Sequence, residues 1–177
     1  MYKRQIQRGF LDLLEAFLIV IQKYKNTILV VSGAVSGSIS SEPIFKNVEL
    51  KKNIYYTGFI SQEELQLQQM SCNILVNPTK NTLESEAAFP TKIGEYFATK
   101  RPVVSTSVGD IKNYFESENQ LILVEPNSPQ ALAEGILYLI ENKQKAKEIG
   151  ERGFNWAINN LDHKKNSEKL ISFLHRI

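Results

Sequence analysis

Between stretches of helical spacing, the chain carries short runs of apolar and β-branched residues at 28–31, 54–57, 73–76, 102–105 and 121–124. Such runs, too short for helices and apolar along their whole length, read as strands buried on both faces of a parallel sheet. The intervening segments supply the crossovers. Phe10, Leu13, Leu14, Phe17 and Ile21 recur at helical spacing, and Lys23 and Lys25 follow where positive charge complements the helix dipole. Ser61 and Glu64 have the spacing of a capping box that opens a helix to about Met70, and Ser128 with Pro129 opens another that faces Leu132, Ile136, Leu139 and Ile140 inward. A helix over 91–99 is expected to bury Ile93, Tyr96 and Phe97. Short helices are expected around 43–50 and from Asp110, as the helix cap, to about 115. Two more, over about 145–159 and 165–175, close the chain. Strand and helix in strict alternation predict an α/β fold with helices on both faces of a parallel sheet.

With 177 residues, 42% of them hydrophobic, the chain suffices for one core and is short for two. A single domain over 1–177 is therefore expected, with 144–177 as a helical tail. In such sheets ligands bind beyond the carboxyl ends of the strands, so the loops 33–41, 58–61, 77–90 and 105–110 are the expected site. Glu95 falls near the start of the 91–99 helix and shares a face with Thr91, four residues earlier. Amides at a helix N-terminus suit phosphate, and a carboxylate one turn in can accept hydrogen bonds from sugar hydroxyls. The pair points to a nucleotide or nucleotide sugar.

Composition removes several other classes. Lys and Arg number 21 against 19 acidic residues, a net charge of +2, which leaves no basic footprint for nucleic acid. The single cysteine, Cys72, cannot close an internal disulfide, and a partly buried, reduced thiol without a catalytic role is expected. The apolar stretch 10–21 is broken by Asp12 and Glu15, so no bilayer-spanning segment is predicted and a soluble, cytoplasmic protein is expected. His163 and His175 read as surface residues and Trp156 as core. No His, Asp or Cys cluster with ligand spacing appears, and no essential metal is expected.

The strings from Arg8-Gly9-Phe10 to Phe17, Tyr56-Thr57-Gly58-Phe59-Ile60, Asn77-Pro78-Thr79, Glu95-Tyr96-Phe97-Ala98, Arg101-Pro102-Val103-Val104 and Ala131-Leu132-Ala133-Glu134 occur in an order that resembles the C-terminal domain of glycosyltransferase family 4. The resemblance covers nearly the whole chain. It implies a Rossmann-like, three-layer α/β/α domain of the GT-B architecture, the half that binds the nucleotide-sugar donor of a retaining transferase. The family's hallmark is a pair of glutamates separated by seven residues, the second on the ribose and the first on the transferred sugar. Glu95 matches the second; Ala87 stands at the first, and Glu86 or Glu84 could replace it only with a shift of the loop.

By the same resemblance the diphosphate is met by backbone around residues 90–93, by Thr91 and Lys92, and by a basic pair near the start of the domain. Arg8 takes the lysine's place in that pair, and Lys3 or Arg4 supplies the other cation, in keeping with the absence of a metal. Phe59 and Ile60 match the place that holds the base. The donor is a nucleoside-diphosphate sugar and the acceptor a glycan or lipid-linked molecule; a catalytic residue is not assigned. Because Met1 stands where the first strand of the family's domain should be ending, the acceptor domain and a full first strand are expected to be missing. The chain alone is then expected to be inactive, and a separate acceptor-domain chain is one expected partner. Location at the inner face of the membrane fits a lipid-linked acceptor. Two other readings remain open at this stage: a GT-B nucleotide-sugar epimerase, and a noncatalytic partner-binding module with the same fold.

Overall fold

The computed structural model describes residues 9–34, 42–88 and 91–176. In chain order the elements are α1 (Phe10–Lys23), β1 (Leu29–Ser32), a 3-10 turn (Pro43–Lys46), α2 (Val48–Asn53), β2 (Ile54–Gly58), α3 (Gln62–Ser71), β3 (Leu75–Asn77) and α4 (Leu83–Glu86). They continue with α5 (Lys92–Ala98), β4 (Val103–Thr106), α6 (Ile111–Tyr114), β5 (Ile122–Val124), α7 (Pro129–Glu141), α8 (Lys143–Asn160) and α9 (His163–Leu174). All strand pairings are parallel: Leu29 pairs with Ile54 in one set, and Leu75 with Val103 and Val104 with Ile122 in the other. The α/β class and the alternation expected from the sequence are present.

The expected single sheet differs in one respect. Among the described residues its hydrogen bonding falls into two parts, β1–β2 and β3–β4–β5. A shared core nonetheless runs beneath both. Leu13, Leu14, Phe17, Val20 and Ile21 of α1 pack with Val104, Ile122, Leu132, Ala133 and Ile136, and Leu29, Ile54 and Val76 lie against the same cluster. The opposite face of β3–β5 carries Leu75, Val103 and Leu121 under Ile93 and Phe97 of α5 and Ile111 of α6. This division follows from strand geometry, since successive side chains point to opposite faces. Helix α7 approaches β4 and β5 closely: a Cβ on Gly135 would stand 2.9 Å from a methyl of Val124 and 3.1 Å from one of Val104.

Local signals do much of the placing. The Ser61–Glu64 capping box is complete, with Glu64 N–H donating to Ser61 Oγ at 3.2 Å and Ser61 N–H to the Glu64 carboxylate at 2.7 Å. Ser128 Oγ accepts from Ala131 N–H at 3.1 Å, with Pro129 at the first helical position. Since α7 covers the sheet, Ser128→Ala is expected to cost about 1 kcal/mol, read as a lower urea midpoint with an unchanged slope. An unmoved midpoint would show the cap to be idle.

Two expectations are corrected. The third strand begins at Leu75 and not at 73, because Asn73 and Ile74 precede the first ladder partner, Val103. Asp110 stands at the start of α6 but makes no side-chain cap; its carboxylate accepts from Asn113 Nδ2 at 3.3 Å. The helix is only one turn long and its Asp110 backbone is already helical, which points the side chain away from the amides a cap would need.

Candidate functional site

Beyond the carboxyl ends of the strands lie the described parts of the loops that the sequence singled out, 33–34, 58–61, 77–88 and 105–110, while positions 35–41 and 89–90 lie outside the described residues. At the two-stranded part, Gly33 N–H donates to the Gly58 carbonyl at 2.8 Å, which ties the exit of β1 to the exit of β2. Phe59 follows Gly58 and is 84% exposed, an unusual state for a phenylalanine and one suited to stacking or apolar contact with a ligand. Ile60 beside it is half-buried.

At the three-stranded part, the long connection from β3 to α5 is not a plain loop. It contains the single-turn α4, where Thr82 Oγ1 accepts from Ser85 N–H at 3.2 Å and Ser85 Oγ donates to the Lys80 carbonyl at 2.6 Å. Four residues give too short a periodic signal for a sequence reading to separate from a loop. The exit of β4 packs on this turn, since a Cβ on Gly109 would lie 2.4 Å from the Ser85 carbonyl oxygen and 2.6 Å from that of Ala88. Glu86, at the end of α4, pairs with Lys112 of α6 at 3.5 Å. Glu84 is exposed in the same turn.

Helix α5 presents Thr91, Lys92 and Glu95 on its exposed side while Ile93 and Phe97 are fully buried. Thr91 precedes the helix with helical backbone angles and makes no side-chain cap. Tyr96, next to Glu95, has its phenol pushed up to about 12, chiefly by burial and then by the Glu95 carboxylate and Cys72. It is a neutral hydroxyl throughout the physiological range. Burial also pushes the Cys72 thiol up, against a smaller opposing effect of Arg101, so Cys72 is the protonated, unreactive group expected. The turn between α8 and α9 lies on this helix: a Cβ on Gly94 would meet Leu161 at 2.7 Å.

The start of α1 completes the region. Gly9 has φ +69°, and its Cα faces the Pro78 carbonyl so closely that a Cβ there would stand 1.6 Å from that oxygen. Asp12, in the first turn, pairs with Lys80 at 3.0 Å. The start of α1 is thereby fixed against the exit of β3. Of the residues expected in the site, Phe59 and Ile60 stand at the end of the two-stranded part, and Glu86, Thr91, Lys92 and Glu95 at the end of the three-stranded part. Lys3 and Arg8 lie outside the described residues, as does Pro90. Sequence reasoning missed three buried polar residues at the strand ends, Asn77, Ser105 and Thr106. The signal available was a polar residue closing each of two adjacent apolar strands.

Parallel strands flanked by helices define a Rossmann-like fold, and an exposed first-turn carboxylate and an exposed aromatic stand beyond the carboxyl ends of its strands. The chain belongs to the family of glycosyl transferases group 1, which its residues 3–156 match. It is 27% identical over 130 residues to an uncharacterized glycosyltransferase, MJ1178, of Methanocaldococcus jannaschii, a match covering 67% of this chain and 36% of that protein. Its fold is that of Anabaena Alr3699/HepE, solved in complex with UDP, at a TM-score of 0.82 and 17% identity over 97% of this chain and 46% of the other. The C-terminal domain of a glycosyl transferase group 1 family protein, LpcC, from Francisella tularensis superposes at a TM-score of 0.77 and 22% identity over 89% of this chain and 81% of that domain. The chain thus spans about a third to a half of the longer proteins it matches.

Proposed function

We propose that residues 1–177 form the donor-binding domain of a retaining family 4 glycosyltransferase, with 144–177 as a helical tail, moving a hexosyl group from a nucleoside-diphosphate sugar to a glycan or lipid-linked acceptor. The observation that carries the reading is Glu95: an exposed carboxylate in the first turn of α5, beyond the carboxyl ends of β3 and β4, in a chain of the glycosyl transferases group 1 family. In this reading Glu95 accepts hydrogen bonds from the ribose hydroxyls, and Phe59 with Ile60 packs on the base. Arg8 and Lys3, with Thr91 and Lys92, meet the diphosphate, so that cationic side chains and not a metal stabilise the leaving group. Glu86 contacts the transferred sugar once it leaves Lys112. The structures of the Anabaena protein with UDP and with UDP-glucose favour a uridine donor.

The domain fixes the donor, and acceptor positioning falls to a second domain, on the same chain or on a separate one, so this stretch by itself binds without transferring. Among the described residues no helix is long and apolar enough to cross a membrane. The reading puts the protein in the cytoplasm, at the inner face of the membrane when the acceptor is lipid-linked.

Calorimetric titration with UDP, GDP and ADP tests it. One of the three is expected to bind, and Glu95→Ala to weaken that binding about tenfold to a hundredfold, the loss of hydrogen bonds to a charged acceptor. The thermal melt should be unmoved because Glu95 is exposed. No heat at millimolar nucleotide, or a Glu95→Ala chain that binds like the parent, would count against it.

A further inference from the structure

The three residues that sequence reasoning missed are the buried polar residues among the described ones, with Asn77 6%, Ser105 0% and Thr106 3% exposed. Their hydrogen bonds close on themselves. Thr79 Oγ1 donates to Asn77 Oδ1 at 3.2 Å, Asn77 Nδ2 donates to Ser105 Oγ at 3.0 Å, and Ser105 Oγ donates to the Thr106 carbonyl at 3.2 Å. Thr106 Oγ1 returns to the Thr79 carbonyl at 2.6 Å and lies 3.5 Å from that of Asn77. The run Thr79 Oγ1–Asn77–Ser105 Oγ is continuous through side chains, so its bonds reinforce one another in a medium of low polarity, and the circuit closes through the main-chain carbonyls of Thr106 and Thr79.

Apolar residues would fill the ends of β3 and β4 at no desolvation cost, so the polar groups are explained by what they hold. What they hold is Pro78. It lies between two members of the ring, and its carbonyl is the group seated against Gly9. The same ring fixes Thr79, from which Lys80 continues to its pair with Asp12 and, through its carbonyl, to Ser85 at the start of the path to α5. Two segments that the proposed donor site needs at a set separation, the start of α1 and the approach to Glu95, both hang from this ring.

We infer that the Asn77–Ser105–Thr106–Thr79 ring is a positioning element of the donor site: its members touch no ligand and set the distance between the start of α1 and the loop leading to α5. This rests on the donor-binding reading above. The test compares Thr106→Val, which keeps the shape and removes the donor, with Thr106→Ser, which keeps the hydroxyl. Ile136→Val, in the core cluster that α7 forms with α1 and outside the ring, serves as a stability control. Affinity by calorimetry for whichever of UDP, GDP and ADP the parent binds is expected to fall about tenfold in Thr106→Val and to stay within about threefold of the parent in Thr106→Ser and Ile136→Val. Amide hydrogen exchange over residues 79–88 should quicken in Thr106→Val alone.

Should Thr106→Val not fold, Thr79→Val opens the same ring at a half-buried position and is expected to give the same losses. Equal affinities for the valine and serine variants, or an Ile136→Val loss as large as that of Thr106→Val, would overturn the inference. So would unchanged exchange over 79–88. A parent that binds no UDP, GDP or ADP removes the donor reading itself and this role with it, whereas a parent that binds and a Thr106→Val that binds equally removes the ring's role alone.

Discussion

Gly9→Ala is expected to destabilise the domain by about 3 kcal/mol or more, lowering the melting temperature by roughly 10 °C for a chain of this size. Two penalties add. At φ +69° an alanine adopts the left-handed region, which costs about 1 kcal/mol relative to glycine. Its Cβ would also fall 1.6 Å from the Pro78 carbonyl oxygen and 2.8 Å from its carbon. Neither atom is the far end of a side chain that could rotate away. The Pro78 backbone is held on both sides by the buried ring, and Gly9 leads directly into α1, whose Leu14, Val20 and Ile21 are fully buried. Relief requires moving either the helix or the strand exit. Thermal and urea denaturation of the variant measure the loss; a melt equal to the parent's would mean that the helix start and β3 do not approach as described.

Phe97→Ala should cost about 3–5 kcal/mol, the range for a fully buried aromatic. The upper part of that range applies where a cavity cannot collapse, and the surroundings of Phe97 are of that kind. Its ring meets Phe115 edge-on at 5.3 Å and Trp156 at 6.1 Å. On another side it lies against the α8 backbone, where a Cβ on Gly153 would come within 2.7 Å of it. On these sides the facing groups are rings and main chain with little freedom to fill the space. Trp156 is the chain's one tryptophan, so its fluorescence reports the site directly. A lower urea midpoint with red-shifted native emission is expected. A loss under about 1 kcal/mol would show that the layer between α5 and α8 repacks freely. Because Glu95 sits two residues before Phe97, the same variant should also weaken nucleotide binding, through displacement of α5.

Much of this architecture is readable along the chain. The apolar runs mark the five strands of the described residues to within two residues at each end, and the Ser61–Glu64 and Ser128–Pro129 signals open α3 and α7 where the structure has them. Ile93 and Phe97 are buried and Thr91 and Glu95 exposed as the helical period requires. The turn α4 was not readable, because a cap and four residues look the same in a loop. The side-chain role of Asp110 was misjudged for a related reason: capping depends on backbone angles just before the helix, which residue type biases but does not set.

What the residues determine by themselves is whatever acts over one or two turns of chain: the order of elements, which face of each helix is apolar, and the position of a carboxylate within a first turn. Periodicity and capping are local interactions, so they survive in a linear reading. The tertiary structure alone decides that Asn77 meets Ser105 from 28 residues away, that Pro78 presses on Gly9, and that the hydrogen bonds of the described strands fall into two sets, β1–β2 and β3–β4–β5. Those contacts depend on register and on which distant segments are brought side by side, and only the packing of the whole core selects among the pairings that local preferences allow.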